Sequence, residues 1–283
     1  MVKMEKVEAL QSPGQRTFRR RVFYIPGYDP IHPRRYRELY RKEGQAQAAI
    51  SGYDLNLKPK KVKGPYGWHV SGQIDGRGAE ADVEVLVWSD IVKSSMAQGI
   101  LATYLQLGRT AWTYIGSGAL FRLMRLRKGP MIAAVYPILM LLAQLAFAGV
   151  AAWGLASFAS QLAPVAGWIA GAALFWLILR FFRRYDNKLF AYYLMHDYAY
   201  SAQGKGANPP ALEARMAAFS LTIREALGAG FDEVLVVGHS SGAHLAVSIL
   251  ADVIRGGLPT KHGKLAFLSL GQVVPMVSFL PEA

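Results

Sequence analysis

Two stretches of the chain run far longer without a charge than a packed core needs. Met131 to about Ser157 and Val165 to Phe182 are almost wholly apolar, and Arg180 is the first charge met in either. At 1.5 Å rise per residue, about 20 residues cross a ~30 Å hydrocarbon layer, so each stretch predicts a transmembrane helix. Ser160, Gln161 and Pro164 mark the turn between them. Pro137 is placed in the first turns of the leading helix, where a missing N–H is tolerated. A buried hairpin in a soluble protein is the competing reading, but such helices rarely exceed about 18 charge-free residues.

On either side the periodicity changes. Val22–Ile25 is a short apolar run ended by Pro26-Gly27, which predicts a strand and a sharp turn. Pro33–Ala49 has helical composition with proline at its start, and Val83–Trp88 reads as a second strand. After the hairpin, Leu212, Met216, Phe219, Ile223 and Leu227 recur every three or four residues, one face of a helix. Pro209-Pro210 opens that helix, and Gly228 and Gly230 close it. Val234–Val237 is an unbroken apolar run, the pattern of a central parallel strand buried on both faces. A helix from about Gly242 to Arg255 follows, stopped by Gly256-Gly257, and Leu265–Leu270 predicts a further buried strand. Strand–helix–strand alternation predicts an α/β fold with a doubly wound, mostly parallel sheet.

Two more segments are amphipathic. Residues 96–121 interleave Leu101, Leu105, Trp112 and Ile115 with Gln98, Gln106 and Arg109, and residues 185–200 are rich in tyrosine. Each fits a bilayer surface or a core-facing helix equally. The predicted organisation is therefore a flexible lead at 1–17, a first α/β portion at 18–95 and an amphipathic juxtamembrane segment at 96–128. The hairpin at 129–184 and a second α/β portion at 185–283 complete it.

Composition sharpens the picture. A net charge of +13 coexists with a mean hydropathy of +0.18 over 283 residues, so apolar and basic residues are segregated. Arg122, Arg125, Arg127 and Lys128 precede the first long helix, Arg180, Arg183, Arg184 and Lys188 close the second, and the connecting loop carries no charge. The positive-inside rule then puts both ends, and with them the soluble part, on the cytoplasmic side. The basic residues crowd the apolar helices and positions 16–42 and form no groove-reading helix, so no nucleic-acid partner is expected and a lipid bilayer is. The first twenty residues hold no apolar core of a cleavable signal peptide. No cysteine is present, which excludes disulfides and thiolate metal sites.

The candidate chemistry is Gly238-His239-Ser240-Ser241-Gly242, directly after the Val234–Val237 strand and directly before a helix. G-x-S-x-G is a weak signal alone; between a buried strand and a helix it has a mechanical meaning. Glycines two before and two after relieve crowding in a tight turn, and the serine hydroxyl is left at the sheet's C-terminal edge beside a helix N-terminus. A phosphate loop would want a lysine after the glycines, and none follows. A plain strand-to-helix turn without chemistry is the alternative.

Val236 to His244 resembles the nucleophile elbow of lipase- and esterase-like α/β-hydrolases, and Tyr24-Ile25-Pro26-Gly27-Tyr28-Asp29-Pro30 resembles their oxyanion loop. The resemblance covers roughly residues 20–90 and 185–280, with the transmembrane hairpin as an insertion. It implies Ser240 as nucleophile and the backbone N–H of Ser241 as one oxyanion donor. Gly27 or Tyr28 would be the other, where the family often has His-Gly and this chain has Pro-Gly. It implies a small-molecule or lipid ester substrate, no cofactor, no metal and no particular oligomeric state.

The resemblance also requires an acid and a histidine after the serine. The residues downstream are Asp252, Glu282, His244 and His262, with His196 ahead of the elbow, and none falls where a triad partner belongs. His244 lies on the helix behind the serine, and His262 at the wrong end of its strand. The α/β-hydrolase sheet is thus expected to be incomplete here, with an open edge, and the chain to be a truncated frame whose missing strands carry the Asp and His. In isolation such a chain is expected to be inactive. Two functions compete: a membrane-anchored serine hydrolase, and a non-catalytic membrane protein using a hydrolase-like fold for binding or scaffolding.

Overall fold

A computed structural model of the chain describes residues 16–60, 63–74, 76–126 and 128–283. Most of the expected lead and Arg127 lie outside the described residues. The elements run β1 (Phe18–Ile25), α1 (Arg34–Ser51), β2 (Asp54–Pro59), β3 (Gly67–Ile74), β4 (Arg77–Val85), α2 (Ser89–Met96), α3 (Ile100–Gly116) and α4 (Ala119–Met124). They continue with α5 (Lys128–Ala159), α6 (Pro164–Arg184), α7 (Asp186–Leu189), α8 (Ala191–Ala202) and α9 (Pro210–Leu227). The chain then closes with β5 (Glu233–His239), α10 (Ser241–Arg255), β6 (Lys264–Leu270) and α11 (Val274–Ser278). These elements form two compact units. Of the described residues, one comprises 16–27, Ile31–Trp88 and Arg215–Gln272; the other comprises Tyr28–Pro30, Ser89–Ala214 and Val273–Ala283.

The first unit is an α/β sheet of six strands in the order β2-β3-β4-β1-β5-β6. β1 runs parallel to both β4 and β5, and β5 parallel to β6. The expected doubly wound, mostly parallel sheet needs correction at its other flank, where β2, β3 and β4 form an antiparallel meander. Of the predicted strand at Val83–Trp88, Val83–Val85 form the end of β4, which begins at Arg77, and Leu86–Trp88 lie beyond it. β2 and β3 carry the period-two pattern of a sheet with one packed face: Leu55, Leu57, Trp68 and Val70 join Val83 and Val85 in one cluster. β6 also differs from expectation. It is an outer strand, and Phe267, Leu268 and Leu270 are exposed, because an apolar run cannot itself say whether a strand has neighbours on both sides.

β1 begins four residues earlier than its apolar run, through three consecutive arginines. Ion pairs make this possible. Arg20 pairs with Glu233, while Arg21, which is buried, donates to Asp82 at 3.2 Å and to Glu84 at 2.6 Å. Glu84 is fully buried and is also bonded by Lys60. A buried charge persists only when paired, so these four residues stitch β1 to β4 and to the end of β2. The α9 stripe behaves as the periodicity predicts: Leu212, Met216, Phe219, Ile223 and Leu227 are all buried.

The second unit is helical. α5 and α6 pack as an antiparallel pair, and both are long and apolar enough to cross a membrane. Their contact is close because it is built from small residues: a Cβ on Gly171 would stand 2.7 Å from the Ala152 carbonyl oxygen and from the Ala156 Cβ. Pro137 lies in the third turn of α5 and not in its first turns, since the helix starts at Lys128. Away from the contact the pair is apolar and open, with Trp153, Phe158, Val165 and Ile169 all exposed. α8 answers one open question about the tyrosine-rich segment. Tyr192, Met195 and Tyr198 are buried against Leu141, so this helix faces the core of its unit.

Removing one partner of the buried ionic group should cost far more than removing a surface one. Glu84→Ala leaves Lys60 and part of Arg21 uncompensated and should destabilise by about 3–5 kcal/mol. Glu38→Ala, which breaks an exposed pair with Arg41, should cost less than about 1 kcal/mol. Thermal midpoints of the detergent-solubilised variants check this, and equal shifts would contradict it.

Candidate functional site: the strand–turn–helix at Ser240

β5 is the strand between β1 and β6, and Val234 and Val236 have no exposed surface. The strand ends at His239 and α10 begins at Ser241, so a single residue makes the reversal. That residue, Ser240, has φ +54° and ψ −123°. Two other non-glycine residues have positive φ among those described, Phe190 and Lys205, with ψ of 17° and 30°. Those two sit in the ordinary left-handed region, whereas Ser240 lies outside it, in a conformation that costs on the order of 1–3 kcal/mol.

The neighbouring glycines are present for want of space. A Cβ on Gly242 would meet the carbonyl oxygens of Ile25 and Pro26 at 2.3 Å each. One on Gly238 would meet the Ala243 Cα at 2.5 Å. Neither glycine has a positive φ, so close backbone approach is their whole role. α10 therefore starts directly on the end of β1. Gly27 is pressed against the turn from the other side, since a Cβ there would lie 3.0 Å from the Ser240 Cβ. The Ser240 N–H donates to the Leu270 carbonyl at 2.9 Å, tying the turn to the end of β6.

Serine at a helix start normally caps it with its hydroxyl. Ser240 makes no such bond, and no hydrogen bond to its hydroxyl is found among the described residues. Ser240 is half-buried, and its hydroxyl lies at the start of α10, where the helix dipole is positive. Ser241 itself is buried. The loop on the β1 side is held by a residue that sequence reasoning passed over. Trp88 is buried and its indole N–H donates to the Pro26 carbonyl at 2.9 Å. Across a trans peptide the carbonyl and the following N–H point oppositely, so this bond also fixes the direction of the Gly27 N–H. A buried tryptophan needs a partner for its N–H, which is the signal that singles it out. Tyr28, the alternative donor, is anchored in the second unit. Its hydroxyl bonds Ser95 at 2.6 Å, Tyr193 donates to its carbonyl, and burial pushes its phenol pKa well up.

The histidines and acids named from sequence do not converge on Ser240 through any hydrogen bond. His244 is half-buried on α10, where desolvation lowers its pKa. His262 is exposed and contacts the Gly263 carbonyl before β6, roughly 20 Å along that strand from Leu270. Asp252 pairs with Arg255 near the far end of α10. His196 is buried in the second unit and bonds Gln106 at 3.0 Å, and the Glu282 N–H donates to Lys205 in the same unit. His69 pairs with Asp82 at 2.9 Å. The register of β1 puts Asp82 level with Arg21 and Gly238 level with Ile25, so this pair lies about 13 Å back along the sheet. No family model, curated protein or solved structure matches the chain.

Two outcomes follow from this geometry. Ser240→Gly relieves the positive φ and should be more stable than Ser240→Ala by about 1 kcal/mol, measured by denaturant unfolding; equal stabilities would show that the turn is unstrained. The second outcome concerns His244. Above pH 6.5, its ordinary pKa, folded and unfolded forms are both neutral there and the group has no effect. As pH falls below that value the unfolded chain takes up a proton that the folded chain resists, so stability declines. His244→Gln should flatten this decline, and an unchanged slope would contradict the assignment.

Proposed function

We propose that this protein is a membrane-anchored serine hydrolase of the α/β-hydrolase type, acting on an ester at the cytoplasmic face. The observation that carries the reading is the backbone of Ser240, a strained non-glycine residue between a buried parallel strand and a helix. In this reading the Ser240 oxygen attacks the ester carbonyl, and the oxyanion is held by the N–H of Ser241 and by that of Gly27 or Tyr28. The alcohol leaves, and water then releases the acid from the acyl-enzyme. The serine proton passes to a general base outside the described contacts of Ser240. α5 and α6 cross the bilayer, with the basic residues Arg122, Arg125, Arg180, Arg183 and Arg184 on the cytoplasmic side. Anchoring next to lipid favours a lipid or other apolar ester.

A second reading keeps the fold for binding or scaffolding without catalysis. It is favoured by one specific observation, that no histidine or carboxylate hydrogen-bonds the Ser240 hydroxyl among the described residues.

Labelling of the protein in its native membranes with an alkyl fluorophosphonate separates the two. The first reading expects an adduct on Ser240, absent in Ser240→Ala. It also expects the labelling rate to fall about tenfold in Trp88→Phe, where the Pro26–Gly27 loop loses its anchor. A folded protein that takes no label supports the scaffold instead.

A further inference from the structure

We propose that α3 and α4 are membrane-embedded as well, lying in the headgroup layer of the same leaflet that receives the basic end of the hairpin. This rests on the reading of α5 and α6 as bilayer-spanning. α3 is apolar on both sides. Its inner side packs through Ile100, Tyr104, Leu107 and Tyr114 against other helices of its unit. Its outer side presents Leu101, Leu105, Trp112 and Ile115, which are 70%, 54%, 78% and 50% exposed, and α4 adds Phe121 and Met124. A surface helix of a water-facing domain turns charged residues outward, whereas here Arg109 is the single charge of α3.

Position and charge identify the occupant of this face. The Arg183 guanidinium donates to the Gln98 carbonyl just ahead of α3, and Ile100 packs with Ala148 and Leu179, one turn inside Arg183. α3 therefore starts at the level where the hairpin turns from apolar to basic. From Ile91 to Tyr185 the chain holds no aspartate or glutamate and nine lysines and arginines. An apolar face on a stretch whose own charges are all cationic fits the acyl–headgroup boundary of an anionic leaflet. A second copy of the chain fits poorly, because it would bring Arg109, Arg122 and Arg125 against like charges.

The absence of native cysteine makes site-directed spin labelling direct. Leu105→Cys, Trp112→Cys and Ile115→Cys would be labelled in the full chain, in nanodiscs of phosphatidylcholine and phosphatidylglycerol. Ile169→Cys reports on the hairpin and Glu43→Cys on water. The proposal expects the three α3 labels to be open to oxygen and shielded from a water-soluble nickel chelate, at depths between the two references. Chelate access equal to that at Glu43 would overturn it. Exclusion of both reagents would also overturn it, by showing a protein contact in place of lipid. Ile169 reads the hairpin independently, so failure of α3 and failure of the spanning assignment are told apart.

Discussion

The structure of the first unit depends on one close approach, that of the start of α10 to the end of β1. Gly242 leaves no room for a methyl group between itself and the carbonyls of Ile25 and Pro26, and Gly238 leaves none beneath Ala243. With the helix seated so low, only one residue remains to reverse the chain, and Ser240 must take a positive φ. That strain of about 1–3 kcal/mol is held by its surroundings: Val234 and Val236 bury the strand before it, and Leu245, Ala246 and Ile249 bury the helix after it. The same crowding presses Gly27 onto the turn. A serine, a helix start and a β1 loop thus converge through backbone packing alone.

The rest of the sheet keeps those two strands adjacent. β1 must lie beside β5 for Ile25 to reach Gly238, and its other edge is secured to β4 by Arg21, Asp82 and Glu84. Trp88, just beyond β4, then returns to clamp Pro26. The ionic group lies low on β1, while Ser240 lies beyond its upper end. Stability and the candidate chemistry are therefore carried by different residues of the same strands.

Much of this was legible in the residues. The charge-free stretches, the α9 stripe and the Val234–Val237 run each sit where their pattern put them, because each is long or flanked by clear stop signals. The elements missed share a physical reason. The strand was expected only over Val22–Ile25, because Arg19–Arg21 carries no apolar pattern and its pairing with Asp82, Glu84 and Glu233 is non-local. β2 and β3 show alternation, but over runs interrupted by Asn56, His69 and Ser71, which face away from their packed side. β6 reads as buried because nothing local distinguishes an edge strand from a central one. At the site, the serine and its glycines were legible from spacing, whereas the Trp88 bond and the Leu270 contact depend on tertiary placement. No sequence pattern identifies the base that would serve Ser240.

Stabilisation of an oxyanion on Ser240 by this turn is tested most directly by a high-resolution structure of the protein after reaction with a phosphonate ester. The expected result is a covalent bond to the Ser240 oxygen, with the phosphoryl oxygen accepting hydrogen bonds from the Ser241 N–H and from Gly27 or Tyr28. A phosphonate bound elsewhere, or one on Ser240 whose phosphoryl oxygen turns to solvent away from both amides, would contradict it.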